Sequence, residues 1–152
     1  DERLRGYRDA IAARSGANEI VLRGDFTESS GYRAGLDICA GSERPDAIFA
    51  ANDMMALGCL FALTEKGVAV PDDIALAGFD DVPIARFVTP PLTTVRVRIA
   101  DLGRRAFERL AELIDDGDDG AKTTERLDCE LVVRLSSGRH DEASPASAAD
   151  TS

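Results

Sequence analysis

Val70–Asp81 reads VPDDIALAGFDD, and the reading of this stretch decides the fold. Pro71, Asp72 and Asp73 predict a turn, because proline fixes φ and aspartate hydrogen-bonds its own backbone. Ile74, Ala75, Leu76, Ala77, Gly78 and Phe79 then run apolar without alternation. A short run of that kind reads as a strand buried on both faces, as in parallel sheets. It ends in Asp80 and Asp81, so two carboxylates follow the C-terminal end of a buried strand. In open α/β sheets that edge is where ligands bind.

Two other stretches repeat the pattern. Glu19–Gly24 (EIVLRG) predicts a strand followed by Asp25 and Phe26, and Ala47–Ala51 (AIFAA) predicts one followed by Asn52 and Asp53. If the three strands are parallel, Phe26, Asn52 and Asp80 line one rim. An aromatic ring, an amide and a carboxylate converging there suit a small polyhydroxylated or heterocyclic molecule.

The rest of the chain alternates in type. Leu4, Tyr7, Ile11 and Ala12 recur at helical spacing, predicting a helix over Asp1–Arg14 closed by Ser15 and Gly16. Thr27–Ser30 offers N-caps to a second helix with Tyr32, Leu36, Cys39 and Ala40 on one face, ended by Gly41. Met54–Glu65 is apolar nearly all round, so it should be buried on more than one side, with Asp53 expected as its N-cap. Asp81–Pro91 carries Pro83, Pro90 and Pro91 and reads as irregular. Leu92–Val97 and Leu127–Leu135 predict two further strands. Between them, Ile99–Ile114 is amphipathic, with Ile99, Leu102, Ala106, Leu110, Leu113 and Ile114 in one stripe. Asp115–Gly120 (DDGDDG) predicts a turn, and the polar composition from Ser136 to Ser152 predicts a disordered tail. Alternating strands and helices predict an α/β fold, a parallel sheet with helices on both faces.

Composition narrows the function. The chain has 152 residues, enough for one core, and 44% of them are hydrophobic. Its formal net charge is −10, which argues against this chain gripping nucleic acid, because phosphate affinity needs clustered Lys and Arg. No apolar run is long enough to span a membrane and no signal segment opens the chain; the three unpaired cysteines suit a cytoplasmic protein. Cys39, Cys59 and Cys129 form no CxxC pair and read as reduced core residues. His140, the single histidine, lies in the tail, and no cluster has zinc spacing, so neither metal nor cofactor is expected. Phosphate-binding, dinucleotide-binding and nucleophile-elbow motifs are all missing from the sequence. A phospho-acceptor receiver would need a lysine near a late strand end. Lys66 ends a helix and Lys122 sits in a turn, so the chain is not expected to be an enzyme.

Several segments together resemble a known family. RPDAIFAANDMMALG (44–58), VPDDIALAGFDD (70–81), PPLTTVRVRIADLGRRA (90–106) and ELVVR (130–134) resemble the C-terminal half of the effector-binding domain of LacI/GalR-type bacterial transcription repressors. LRGYRDAI (4–11) and GDFTESSGYRAG (24–35) fit the same pattern in order. The resemblance implies one lobe, residues 1–135, of a two-lobed periplasmic-binding-protein-like fold. It implies that Arg3, Phe26, Asn52 and Asp80 contact a small effector, and that Leu57, Phe87 and Val88 lie on a homodimer face. It also implies a first lobe and a helix-turn-helix outside this chain, the latter carrying DNA binding, and a helix 99–114 that pairs with the first lobe. Many sugar-binding relatives carry Gln where Val97 stands, which leaves nucleobases open beside sugars. A solute-binding protein of a sugar transporter, which shares the fold, is the alternative.

Each of these residues also has a plain structural reading. Asn52 can be purely structural, Phe26 can simply cover the sheet end, and Asp81 suits a turn as well as a ligand. Leu57 suits a core, whereas Phe87 in a proline-rich loop has little core to enter.

Overall fold

A computed structural model describes residues 2–14, 16, 18–116 and 124–138. The elements in order are α1 (Glu2–Ala12), α2 (Glu28–Ala40), β1 (Ala47–Phe49), α3 (Asp53–Glu65), β2 (Ala75–Asp80), β3 (Thr93–Arg96), α4 (Ile99–Asp116) and β4 (Glu130–Val132). Short 3-10 turns follow β2 at Pro83–Arg86 and β4 at Leu135–Ser137. The strands form one sheet in the order β1-β2-β3-β4. The first three are parallel, with Phe49 beside Ala77 and Ala77 beside Thr93. β4 runs antiparallel to β3, so the sheet is mostly rather than wholly parallel.

The core lies between this sheet and α3. Leu76 of β2 is fully buried against Ala56 and Leu60 of α3, and Leu92 and Ala85 close the same cluster. Ile74, Leu63, Cys59 and Val68 form a second cluster toward the other end of α3. Helices α2 and α3 approach closely because glycines face each other's backbone. A Cβ on Gly58 would lie 1.9 Å from the Glu28 carbonyl oxygen, and one on Gly31 would lie 2.0 Å from that of Met55. The opposite sheet face, which carries Phe49, Ala77, Phe79, Val95 and Leu131, is open or half-buried.

Several expectations change. Residues 19–24 pair with no strand, and Ile20, Val21 and Leu22 are all exposed. Apolarity alone cannot make a strand without a partner edge, and this segment is tied instead to α1, where Arg8 Nε donates to Glu19 Oε1 at 2.8 Å. The N-cap of α3 is Asn52 rather than Asp53. Asn52 has extended backbone, and its side chain accepts from the Met55 N–H, while Asp53 is already helical. The predicted strand 127–135 shortens to Glu130–Val132, because the chain then turns to tuck Ser136 against β2 and β3. Ser136, placed by composition in a disordered tail, is fully buried, accepting from Thr93 N–H and donating to the Leu76 carbonyl. Cys129 is exposed rather than core. Cys59 is buried, which pushes its thiol up to about 11, with Cys39 nearby adding to the shift. Ser15, Lys122, His140 and the rest of the tail lie outside the described residues.

Candidate functional site

The C-terminal ends of the parallel strands gather four of the expected residues and one unexpected one. Asp80 is the last residue of β2. Arg3, from the first turn of α1, reaches across the rim. Its Nη1 donates to the Ala51 carbonyl at 3.0 Å, and its Nη2 lies 3.7 Å from Asp80 Oδ1. The guanidinium carbon stands 4.2 Å from the centre of the Phe79 ring and 5.8 Å from that of Phe26. Arg3 is therefore held over the Phe79 ring and within cation–π range of Phe26, with one nitrogen toward a carboxylate.

Backbone geometry marks the same place. Phe26 has φ 67°, Asp80 φ 114° and Asp81 φ 54°. Non-glycine residues in this region are sparsely populated and gather at functional sites. Phe26 is half exposed, so one face of its ring is available. Burial pushes the Asp80 carboxyl above its usual value, and the Arg3 guanidinium pulls it back only in part. Desolvation of this kind strengthens a hydrogen bond that the carboxylate accepts.

Asn52 is at the rim, but much of its amide is engaged. Oδ1 accepts from Met55 N–H at 2.9 Å, and Nδ2 donates to the Phe26 carbonyl at 3.0 Å. An amide carries two N–H donors and two acceptor lone pairs, so one of each is left over. Asp81 turns away from the rim. Arg134 Nη2 donates to it at 2.5 Å and Arg96 Nε at 2.7 Å, and its side chain is 3% exposed. Burial acts to raise its carboxyl, but the bonds from Arg134 and Arg96 outweigh that and leave it lowered.

Phe79 and Thr94 were not singled out from sequence, and Asp53 was singled out in another role. Phe79 read as strand core, yet its ring stacks under Arg3. Its place on the open sheet face, next to Asp80, was the available signal. Asp53 and Thr94 form a buried pair, Thr94 Oγ1 donating to Asp53 Oδ1 at 2.6 Å, and no local pattern announces a contact between residues so far apart in sequence.

The residues implied for a dimer face lie elsewhere. Leu57 lines a shallow groove of about 540 Å³ between α2 and α3, with Tyr32, Arg33 and Phe61. Phe87 is 74% exposed, while Val88 is half-buried against the core.

Residues 1–137 match the model of the periplasmic binding protein-like domain family. The chain belongs to this family. Over 118 residues it is 42% identical to the HTH-type transcriptional repressor PurR of Haemophilus influenzae, covering 76% of the chain and 35% of that protein. A Sanguibacter keddieii protein assigned to the LacI family of transcriptional regulators superposes with a TM-score of 0.81 at 42% identity, over 90% of this chain and 53% of that one. The lac repressor dimer, bound to operator and the anti-inducer ONPF, superposes at 0.82 with 31% identity, over 90% and 47%. The effector-binding domain of LacI/GalR-type regulators is thus the domain to which this chain corresponds, as the sequence resemblance implied. The chain spans about a third to a half of the length of the proteins it matches. No helix among the described residues is long and apolar enough to cross a membrane.

Proposed function

We propose that this chain is the second effector lobe of a cytoplasmic LacI-type transcription repressor, binding a small neutral sugar-like or nucleobase-like molecule at the strand-end rim. The observation that carries the reading is Arg3, within cation–π range of both Phe26 and Phe79 and 3.7 Å from Asp80. Phe26 stacks on a sugar's apolar face or on a base. Asp80 accepts two hydrogen bonds from vicinal hydroxyls or ring N–H groups, Arg3 donates to ring oxygens, and Asn52 offers its remaining N–H. No step of bond-making is required of these groups, and the chain acts as a binding module rather than an enzyme.

A first lobe closes over the ligand and packs on the apolar stripe of α4. Closure changes the spacing of helix-turn-helix heads, so ligand binding shifts a population of DNA-binding geometries. A second copy docks through Leu57, Phe87 and Val88. The transporter reading is less well supported, since PurR and the lac repressor are repressors.

Calorimetric titration with adenine, guanine, hypoxanthine, ribose, cellobiose and ribose 5-phosphate tests the reading. Heat of binding from one neutral class is expected. Binding of the phosphate alone, or of none of them to the two-lobed protein, would contradict it.

A further inference from the structure

Asn52 and Asp53 are adjacent, and each reaches a different wall of the rim. Asn52 Nδ2 donates to the carbonyl of Phe26. Asp53 is fully buried. Its Oδ2 accepts from the Val82 N–H at 2.9 Å, and its Oδ1 accepts from the Thr94 hydroxyl at 2.6 Å. The same Thr94 oxygen accepts from the Asp81 N–H at 3.3 Å. One carboxylate therefore grips the turn that follows Asp80 at two points, directly at Val82 and through Thr94 at Asp81.

Both walls need holding. Phe26, Asp80 and Asp81 all have positive φ and none is glycine, a conformation that persists only when its surroundings impose it. The sheet makes room for the carboxylate, because a Cβ on Gly78 would lie 2.2 Å from Asp53 Oδ1. β2 has no side chain at the point where Asp53 enters.

We propose that Asn52 and Asp53 are positioning residues that set the two walls separately: Asn52 holds Phe26, and Asp53, with Thr94, holds Asp80. The distance between ring and carboxylate is then fixed by one dipeptide at the start of α3 rather than by the loops that carry them. The consequence for recognition rests on the ligand-site reading given above. The positioning itself is a property of the backbone and is tested without ligand.

Two substitutions separate the walls. Asn52→Asp keeps an acceptor for the Met55 N–H but removes the donor to Phe26. Asp53→Asn keeps size but lets only one of the two sites accept. The readout is amide shifts, φ-sensitive couplings and amide exchange on the isotope-labelled chain. N52D is expected to move Phe26 and Thr27 and leave Asp80–Val82 in place. D53N is expected to move Asp80–Val82, with Val82 exchanging about 10-fold faster or more, the worth of a hydrogen bond to a charged group. Phe26 should then stay in place. Thr94→Val should release the Asp81 N–H and move Asp80 and Asp81, while the direct bond to Asp53 keeps the Val82 N–H protected, and Thr94→Ser, which keeps the hydroxyl, should leave both in place. Either variant moving both walls alike, or leaving its own wall unmoved, overturns the proposal. Unfolding of both D53N and T94V also overturns it, since the pair would then serve core stability alone. Failure of the ligand reading would leave these spectra as expected and show only in binding.

Discussion

Asp80 and Asp81 are neighbours with opposite roles. Asp80 looks into the rim with Arg3 alongside, while Asp81 turns inward to Arg134 and Arg96. Sequence left Asp81 open between turn and ligand, because nothing local reveals an arginine 53 residues away. Removing one partner of a buried ion pair costs about 3–5 kcal/mol, and Arg96 reaches solvent, so Asp81→Ala should cost about 3 kcal/mol in a denaturant melt. The pH dependence has a definite sign. The Asp81 carboxyl is lowered in the fold, so its stabilisation is present above its ordinary value of 3.8 and is lost as pH falls through the lower folded value. Asp53 and Asp80 are raised, mainly by burial, and act in the opposite sense. Melts of the wild type and D81A should therefore converge in acid below about pH 4, and a constant gap would contradict the assignment. Gly78→Ala should cost about 1–3 kcal/mol, because its methyl would meet the Asp53 carboxylate.

At the scale of elements, legibility followed how local each signal was. α2 and α3 carry their caps within themselves and α4 its apolar stripe, and their spans lie close to what the pattern predicts. β2 was legible as an unbroken apolar run ending in charge. Strand 19–24 was not, since a strand exists only with an edge to pair. The N-cap of α3 was misplaced by one residue because Asn and Asp are both good caps, and a distant need, Val82 and Thr94, decides which of them caps. The stripe of α4 was legible, and in this chain Leu102, Leu110 and Ile114 stand exposed. Leu102→Glu and Leu110→Glu should therefore change this chain's stability by no more than about 0.5 kcal/mol, as for other surface substitutions. Leu63→Ala, in the core, should cost about 2–5 kcal/mol. A large effect of the α4 substitutions would mean that the stripe already has a partner within the chain or in a second copy.

The whole molecule presents two surfaces that the proposed function gives to other partners, the rim to a ligand and a first lobe and the α2–α3 groove to a second copy. The family was readable from its motifs and the fold from the alternation of strands and helices, and Asn52 and Asp80 fall at one edge because β1 and β2 run parallel. The bracing beneath the rim was not readable, because it joins residues from α3, β3 and the turn after β2. If a second copy uses the groove, sedimentation should report a dimer. Leu57→Glu and Phe87→Glu should then yield monomers with an unchanged melt, and a wild-type monomer at micromolar concentration would remove this face from the account.

The central claim is that Asp80 receives the ligand. Its most direct test is the affinity of the tightest compound of the panel for wild-type and Asp80→Asn protein in the two-lobed form. A hydrogen bond to a charged group is worth about 1.5–3 kcal/mol, so Kd should rise about 10- to 150-fold while the melting profile hardly moves. An unchanged Kd would contradict the claim.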